Sequence, residues 1–153
     1  MGRIEARLRE LGIALPPAST PFASFQHVVI AGGLAFVAGQ PPTEGDRRPY
    51  IGRLGIDLTL EQGQAAAKLS ALNVIAQMRA ALDGDLDRVE RCVKLGVFVN
   101  SGPDFKGQPL VANGASDLMV QVWGEAGRHA RFAVGTIGPM DFACSVEAVF
   151  QVS

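Results

Sequence analysis

Several residue types that usually announce a function are scarce in this chain, and each scarcity removes a class of chemistry. Two histidines (His27 and His129) and two cysteines (Cys92 and Cys144) occur in 153 residues. None stands at metal-ligand spacing from another, so no metal centre is expected. Gly52 and Gly55 lie in a polar turn region, outside the strand–loop–helix context of a phosphate-cradling loop, and no cofactor is expected. Basic charge is not in excess: 14 Lys and Arg stand against 15 Asp and Glu, a net charge of −1. The cationic surface on which phosphate-backbone binding depends is missing, so a nucleic-acid partner is not expected. No apolar run approaches the length of a membrane span. The opening "MGRIEARLRELG" alternates charged and apolar residues and lacks the apolar region of a secretory signal, and Ala6 breaks the myristoylation pattern. These absences read as a cytoplasmic protein without membrane contact, its two isolated thiols buried and reduced.

What is present is the composition of a folded domain, 48% hydrophobic and 19% charged, of a length that suits one domain spanning 1–153. Ile4, Leu8 and Leu11 recur at helical spacing with Gly12 as a stop, and "LPPASTP" (15–21) reads as a proline-rich linker, so 1–21 is a helix followed by a linker. "HVVIAGGLAFVAG" (27–39) is two apolar runs broken by Gly32-Gly33, the signature of a tight hairpin. A polar loop (40–52) follows, with room for one further short strand. Thr59 to Leu82 is the clearest helix: Thr59 and Gln62 suit a capping box, and Asp83-Gly84 a stop. Val93, Leu95, Val97 and Val99 alternate as in a half-buried strand. Val111, Ala115, Leu118 and Val122 step by four, three and four along a second helix. Two strands, near 131–137 and 142–151, close the chain around the turn "GPMD". The order ββ(β)αβαββ implies an α+β domain, a mainly hairpin-built sheet with two long helices on one face. Val29, Phe36, Phe98, Val134 and Phe150 exceed what one helix layer buries, which points to self-association through the sheet.

Few residues remain to carry chemistry. No nucleophile elbow is present, and Ser70 and Ser116 fall inside helices with no base nearby, which reads against a Ser- or Cys-dependent hydrolase. Arg131 shares one strand face with Ala133, Gly135 and Ile137. Such small neighbours leave room for a carboxylate on the guanidinium. Equally, Arg131 suits the C-terminal end of the preceding helix or a surface pair with Glu125. Asn113 lies about 160° round its helix from Val111, off the buried stripe, where an asparagine is either solvated or part of a site. Glu147 interrupts the apolar run "FACSVEAVF" (142–150), as an edge or interface ion pair or as a catalytic acid. Trp123 reads as packing.

"AFVAGQPP" (35–42), "FVNSGPDF" (98–105), "VANGASDL" (111–118) and "GRHARFAVG" (127–135), with the later Pro139 and "VEA" (146–148), together resemble the Rid family. These are the YjgF-like proteins, also labelled endoribonuclease L-PSP or reactive-intermediate imine deaminases. The resemblance extends from about residue 25 to the end, and "LGIALPP" is similar to a subgroup with an N-terminal extension. It implies a chorismate-mutase-like mixed sheet assembled as a homotrimer, with ligand clefts between subunits. In the deaminase branch an arginine clamps the carboxylate of a 2-imino or 2-oxo acid, and Arg131 matches it. Asn113 matches an asparagine at the cleft, and Gly39 and Ala133 match main-chain contacts to the ligand. The branch's water-orienting acid is replaced by Ser145, two residues before Glu147. Its aromatic hydroxyl near the first strand is replaced by Phe25. The expectation is a small carboxylate metabolite as ligand, with enamine or imine hydrolysis depending on Ser145 or Glu147, and a non-catalytic binder as the alternative. An endoribonuclease ranks last.

Overall fold

The computed structural model describes residues 1–153. Helix α1 (Arg3–Glu10) is followed by an irregular strap, then by β1 (Val28–Ala31) and β2 (Leu34–Gln40). Helix α2 (Leu60–Ala81), β3 (Val89–Asn100), α3 (Gln108–Trp123), β4 (Ala130–Thr136) and β5 (Cys144–Val152) complete the chain. The five strands form one sheet in the order β1-β2-β5-β3-β4. Every neighbouring pair is antiparallel except β3 and β4, which run parallel. Both long helices cover one face, α2 over β2 and β5, α3 over β3 and β4. This is an α+β domain, a mixed sheet covered by helices on one face.

Local chemistry explains the elements. Gly32 and Gly33 both take positive φ, +59° and +75°, as a two-residue hairpin turn between twisted strands requires. The Thr59 hydroxyl accepts from the Gln62 N–H while Gln62 Oε1 accepts from the Thr59 N–H, so the capping box closes α2 at its start. The four apolar positions read on α3 are all buried. Gly114 lets α2 and α3 approach closely, since a Cβ there would lie 2.1 Å from the Gln64 carbonyl oxygen.

Four expectations need correction. The last two strands do not form a hairpin: β4 pairs with β3 at the sheet edge, while β5 crosses to the centre between β2 and β3. The reason is burial, because Val146, Ala148, Phe150 and Val152 present a continuous apolar face that only a central strand can cover fully. Phe150 accordingly belongs to the helix-side core, its ring 5.5 Å from that of Trp123, and not to the open face. Loop 40–52 forms isolated bridges and no third strand, as its prolines and charges dictate. In β3 the pairing skips Val93, so Cys92 takes the core position and Val93 is left half-buried.

The face away from the helices carries Val29, Phe36 and Val134, 51%, 47% and 43% exposed, with Phe98 half-buried beside them. No helix is long and apolar enough to cross a membrane. Helix α1 is docked by Asp87, whose carboxylate accepts from the Arg3 and Ile4 N–H groups at 2.8 Å each. The bonds from Ile4 and then Arg3 hold its pKa below the usual carboxylate value of 3.8.

Two outcomes follow for stability. A depressed carboxyl pKa stabilises the fold above the unfolded value and loses that contribution as pH falls through the folded one. Acidification below about pH 4 is therefore expected to speed amide exchange at Arg3 and Ile4 before the sheet opens; Asp87→Asn should show fast exchange there already at neutral pH. Gly114→Ala should lower stability by about 3 kcal/mol in urea titrations, because neither backbone can yield to the added methyl; an unchanged midpoint would contradict the close helix approach.

Candidate functional site

Arg131 opens β4 and sits in register with Leu95, a core residue, so its side chain leaves the sheet on the helix-covered side. Because β4 is an edge strand, the guanidinium emerges at the border of the core and lies across the first half of α3. Its Nη1 donates to Asn113 Oδ1 and Ser116 Oγ, both at 3.0 Å, and its Nη2 donates to the Pro109 carbonyl at 3.1 Å. Three of the five guanidinium N–H donors are thus spent on the chain itself. The two left over, on Nε and Nη2, suit the paired acceptance that a carboxylate offers. No acidic side chain occupies them: the ion pairs are Arg7–Glu10, Arg47–Glu44, Arg79–Glu5 and Arg128–Glu125. Glu125 is taken by Arg128, and Arg131 touches the N-terminal half of α3, so neither the surface pair nor the helix-end role holds.

Asn113 is half-buried and oriented by Arg131, not free in solvent. Ala133 follows on the same face of β4, registered with Val97. Ile137, counted with this face from the sequence, falls beyond the strand end and is 81% exposed.

Sequence reasoning missed two neighbours. The expectation that Ser116 has no base beside it is overturned by His129, whose Nε2 lies 2.8 Å from Ser116 Oγ. The His129 Nδ1 lies 2.7 Å from the Gly127 carbonyl and donates to it, so Nε2 is the acceptor and the Ser116 hydroxyl the donor. Gly127 makes this possible, since a Cβ there would meet the Met119 carbonyl oxygen at 2.1 Å. The chain can therefore fold tightly against α3 and return His129 to Ser116. Burial, and then the Arg131 charge, hold the His129 pKa below the usual imidazole value, while the bond to Gly127 pulls the other way. A signal was present in the sequence: His129 stands two residues before Arg131, immediately ahead of the strand that carries it.

The other expected residues lie elsewhere. A register shift in β2 between Val37 and Gln40 turns Gly39 toward Ser145, whose Oγ lies 2.6 Å from where a Gly39 Cβ would be. Gly39 and Ser145 line a cavity of about 250 Å³ with Phe22, Phe98, Thr136 and Met140, on the sheet face away from the helices. Met140 and Asp141 hold left-handed φ of 57° and 59°. That turn is held in place by the Gly52 N–H donating to the Asp141 carbonyl at 2.8 Å, which keeps Met140 at the cavity rim. Phe25 does not line the cavity; it stands edge-on to Phe22 and His27 at 5.6 and 5.2 Å. Glu147, half-buried on the same open face, lies over Gly96 and pairs with no cation. One chain therefore brings Arg131 to Asn113, and Gly39 to Ser145, but leaves the two groups on opposite faces of the sheet.

A five-stranded mixed sheet with two long helices on one face defines the fold class. A family model described as "YjgF/chorismate mutase-like, putative endoribonuclease" matches residues 5–151, and the chain belongs to that family. It is 51% identical over 147 residues to protein TCP17 of Trypanosoma cruzi, covering 95% of this chain and 91% of that one. Among solved structures, Atu1372 of Agrobacterium tumefaciens, described as of unknown function, shares 42% identity with a TM-score of 0.91 over 98% of this chain and 93% of that one. A Shewanella oneidensis protein described as a "putative endoribonuclease" shares 32% identity with a TM-score of 0.94, covering 99% and 100%.

Neither cysteine belongs to the Arg131 group. Burial pushes both thiols up to about 12, so at pH about 8 almost no thiolate exists to react. A thiol reagent is expected to label neither Cys92 nor Cys144 in the native protein and both in denaturant. Rapid labelling of the native fold would show the burial to be wrong.

Proposed function

We propose that this protein binds a small carboxylate, a 2-oxo or 2-imino acid, with Arg131 as the anion clamp. On this reading it hydrolyses enamine or imine intermediates derived from amino acids, releasing ammonia. The observation that carries the proposal is the state of the guanidinium: fixed by three bonds to α3, free of any acid, with two donors unspent. Preorganisation of this kind lets a bound carboxylate gain two charge-assisted bonds without first ordering the arginine.

The cleft is assigned to the junction between copies of the chain, as a homotrimer. Two features support that. The open sheet face exposes Val29, Phe36 and Val134, and the Gly39–Ser145 cavity cannot meet Arg131 of its own chain through the sheet. Met140 and Phe22 would then wall the side-chain end of the ligand, and Asn113 and the Ala133 main chain would flank its carboxylate. Unconjugated imines of this type hydrolyse in water unaided, so a site that holds the carboxylate and one water contributes by positioning. A non-catalytic binder is the second reading, favoured by the exchange of the family's acid for Ser145. With a net charge of −1 and no basic, aromatic-interleaved stretch, ribonuclease action is the least supported.

Titration with 2-oxobutyrate followed by calorimetry is the test. Arg131→Ala should weaken binding by about 10- to 100-fold, the worth of one to two charge-assisted bonds. Arg131→Lys should recover only part of it, lacking the planar fork. Equal affinity in wild type and Arg131→Ala would remove the clamp, and a monomer by light scattering would remove the intersubunit cleft.

A further inference from the structure

Ser116 is one of the three groups that hold the Arg131 guanidinium, and behind it stands His129, which the clamp does not use. Around the Ser116 oxygen every interaction has a direction. Its hydroxyl hydrogen goes to His129 Nε2 at 2.8 Å, and one lone pair accepts Arg131 Nη1–H at 3.0 Å. A hydroxyl oxygen has a second lone pair, which no group of the chain takes up in this arrangement. That lone pair can accept an O–H from a water lying next to an anion held on Arg131. Behind it, His129 is a neutral imidazole whose other nitrogen is fixed by the Gly127 carbonyl at 2.7 Å. A hydroxyl beside a guanidinium and backed by an oriented imidazole has the elements of a proton relay.

We propose that Ser116 and His129 are the proton-accepting arm of the Arg131 site, acting on a carboxylate-bearing iminium. This rests on the carboxylate reading above. Water bonded to Ser116 Oγ adds through its oxygen to the C=N carbon, and the π pair of the C=N bond moves to nitrogen. The water proton passes to Ser116 Oγ as the hydroxyl's own proton passes to His129 Nε2. The carbinolamine so formed takes that proton back on its amino nitrogen. Its C–N bond then breaks with the bonding pair going to nitrogen, and the carbinolamine O–H proton passes by way of Ser116 Oγ and His129 Nε2 to the departing ammonia, leaving a 2-oxo acid and ammonium. The sum is iminium plus water giving ketone plus ammonium, with no oxidant, reductant or other co-reactant. This assignment places the base on the helix side of the sheet, where Arg131 is, and not at Ser145 or Glu147 on the far face.

The arrangement also couples binding to basicity. The charge that acts on His129 is that of Arg131; nearby Arg128 is paired with Glu125, and Arg91 donates to the Arg128 carbonyl. A carboxylate docked on Arg131 offsets the guanidinium charge, which removes one of the influences opposing imidazolium. His129 becomes the better base only once substrate is bound.

The experiment combines proton NMR of the His129 ring with ammonia release from freshly generated 2-aminoacrylate, on the intact protein. Saturating 2-oxobutyrate should raise the His129 pKa in wild type and leave it unmoved in Arg131→Ala. His129→Gln should lower ammonia release by about 100-fold while 2-oxobutyrate binds as in wild type, which also shows that the variant folds. Ser116→Ala, which removes one of the bonds that hold the guanidinium, should lower ammonia release to a similar extent with only a few-fold loss of 2-oxobutyrate affinity. The acidic limb of the wild-type pH–rate profile should follow the bound-state His129 titration and disappear in His129→Gln. Full ammonia release by both variants with Arg131→Ala inactive would overturn the relay and keep the clamp. Ammonia release by wild type no faster than buffer would also overturn the relay, leaving a binder. Undiminished 2-oxobutyrate binding by Arg131→Ala would instead overturn the carboxylate reading on which the relay rests.

Discussion

Strand β5 pairs along its length with β2 on one side and β3 on the other, and the rest of the structure depends on that double pairing. Its inward side chains Val146, Ala148 and Phe150 meet the helices, while Ser145 and Glu147 look the other way. With β5 in the centre, β4 can attach only to the outer side of β3, in parallel, after the crossover through α3. The position of Arg131 follows from that. An arginine at the start of a central strand would be buried without an escape for its charge; on an edge strand it can rest on α3 and still reach solvent.

The polar groups beside Arg131 form a chain in which each member fixes the next. Pro109, Asn113 and Ser116 hold the guanidinium, His129 holds the Ser116 hydroxyl, and Gly127 holds the imidazole. Nothing in the chain neutralises the arginine, so the group carries a full positive charge in a low-mobility setting. Such a charge favours an anion and disfavours a second cation, adding to the burial that is the larger cause of the lowered His129 pKa. The open face of the sheet is largely apolar, with Lys94 and Glu147 as its charges, and is bordered by a turn in which two non-glycine residues accept a left-handed backbone. Departures of that kind cost about 1–3 kcal/mol each and persist where surrounding contacts impose them.

Much of the architecture was legible because its signals are local. The Gly32-Gly33 turn, the Thr59–Gln62 capping box and the period of Val111, Ala115, Leu118 and Val122 each lie within a few residues, and each element forms where its signal stands. The errors concern partners far apart in sequence. Nothing near "GPMD" reveals that β5 leaves β4 for the sheet centre, since both strands keep the same alternation whichever neighbour they find. The site divides in the same way. Arg131 stood out by its small neighbours and by the family pattern, but the link from its partner Ser116 to His129 rests on Gly127 passing within contact of Met119. Phe25 was singled out by position, whereas the neighbouring Phe22 is the ring that reaches the cavity.

The central place of β5 also bears on how the chain acquires its shape. The middle strand is the last of the five in chain order, so hairpin β1–β2 and the β3–α3–β4 unit have no sheet to join until it arrives. Val152 closes two long-range loops at once, bonding to Gly33 and pairing with Val89. Contacts of that span make for slow folding, because the entropy of closing the loops is lost before the pairing rewards it. During synthesis, the residues that precede β5 wait with their apolar strand edges open, and only the emergence of that strand lets the two halves meet.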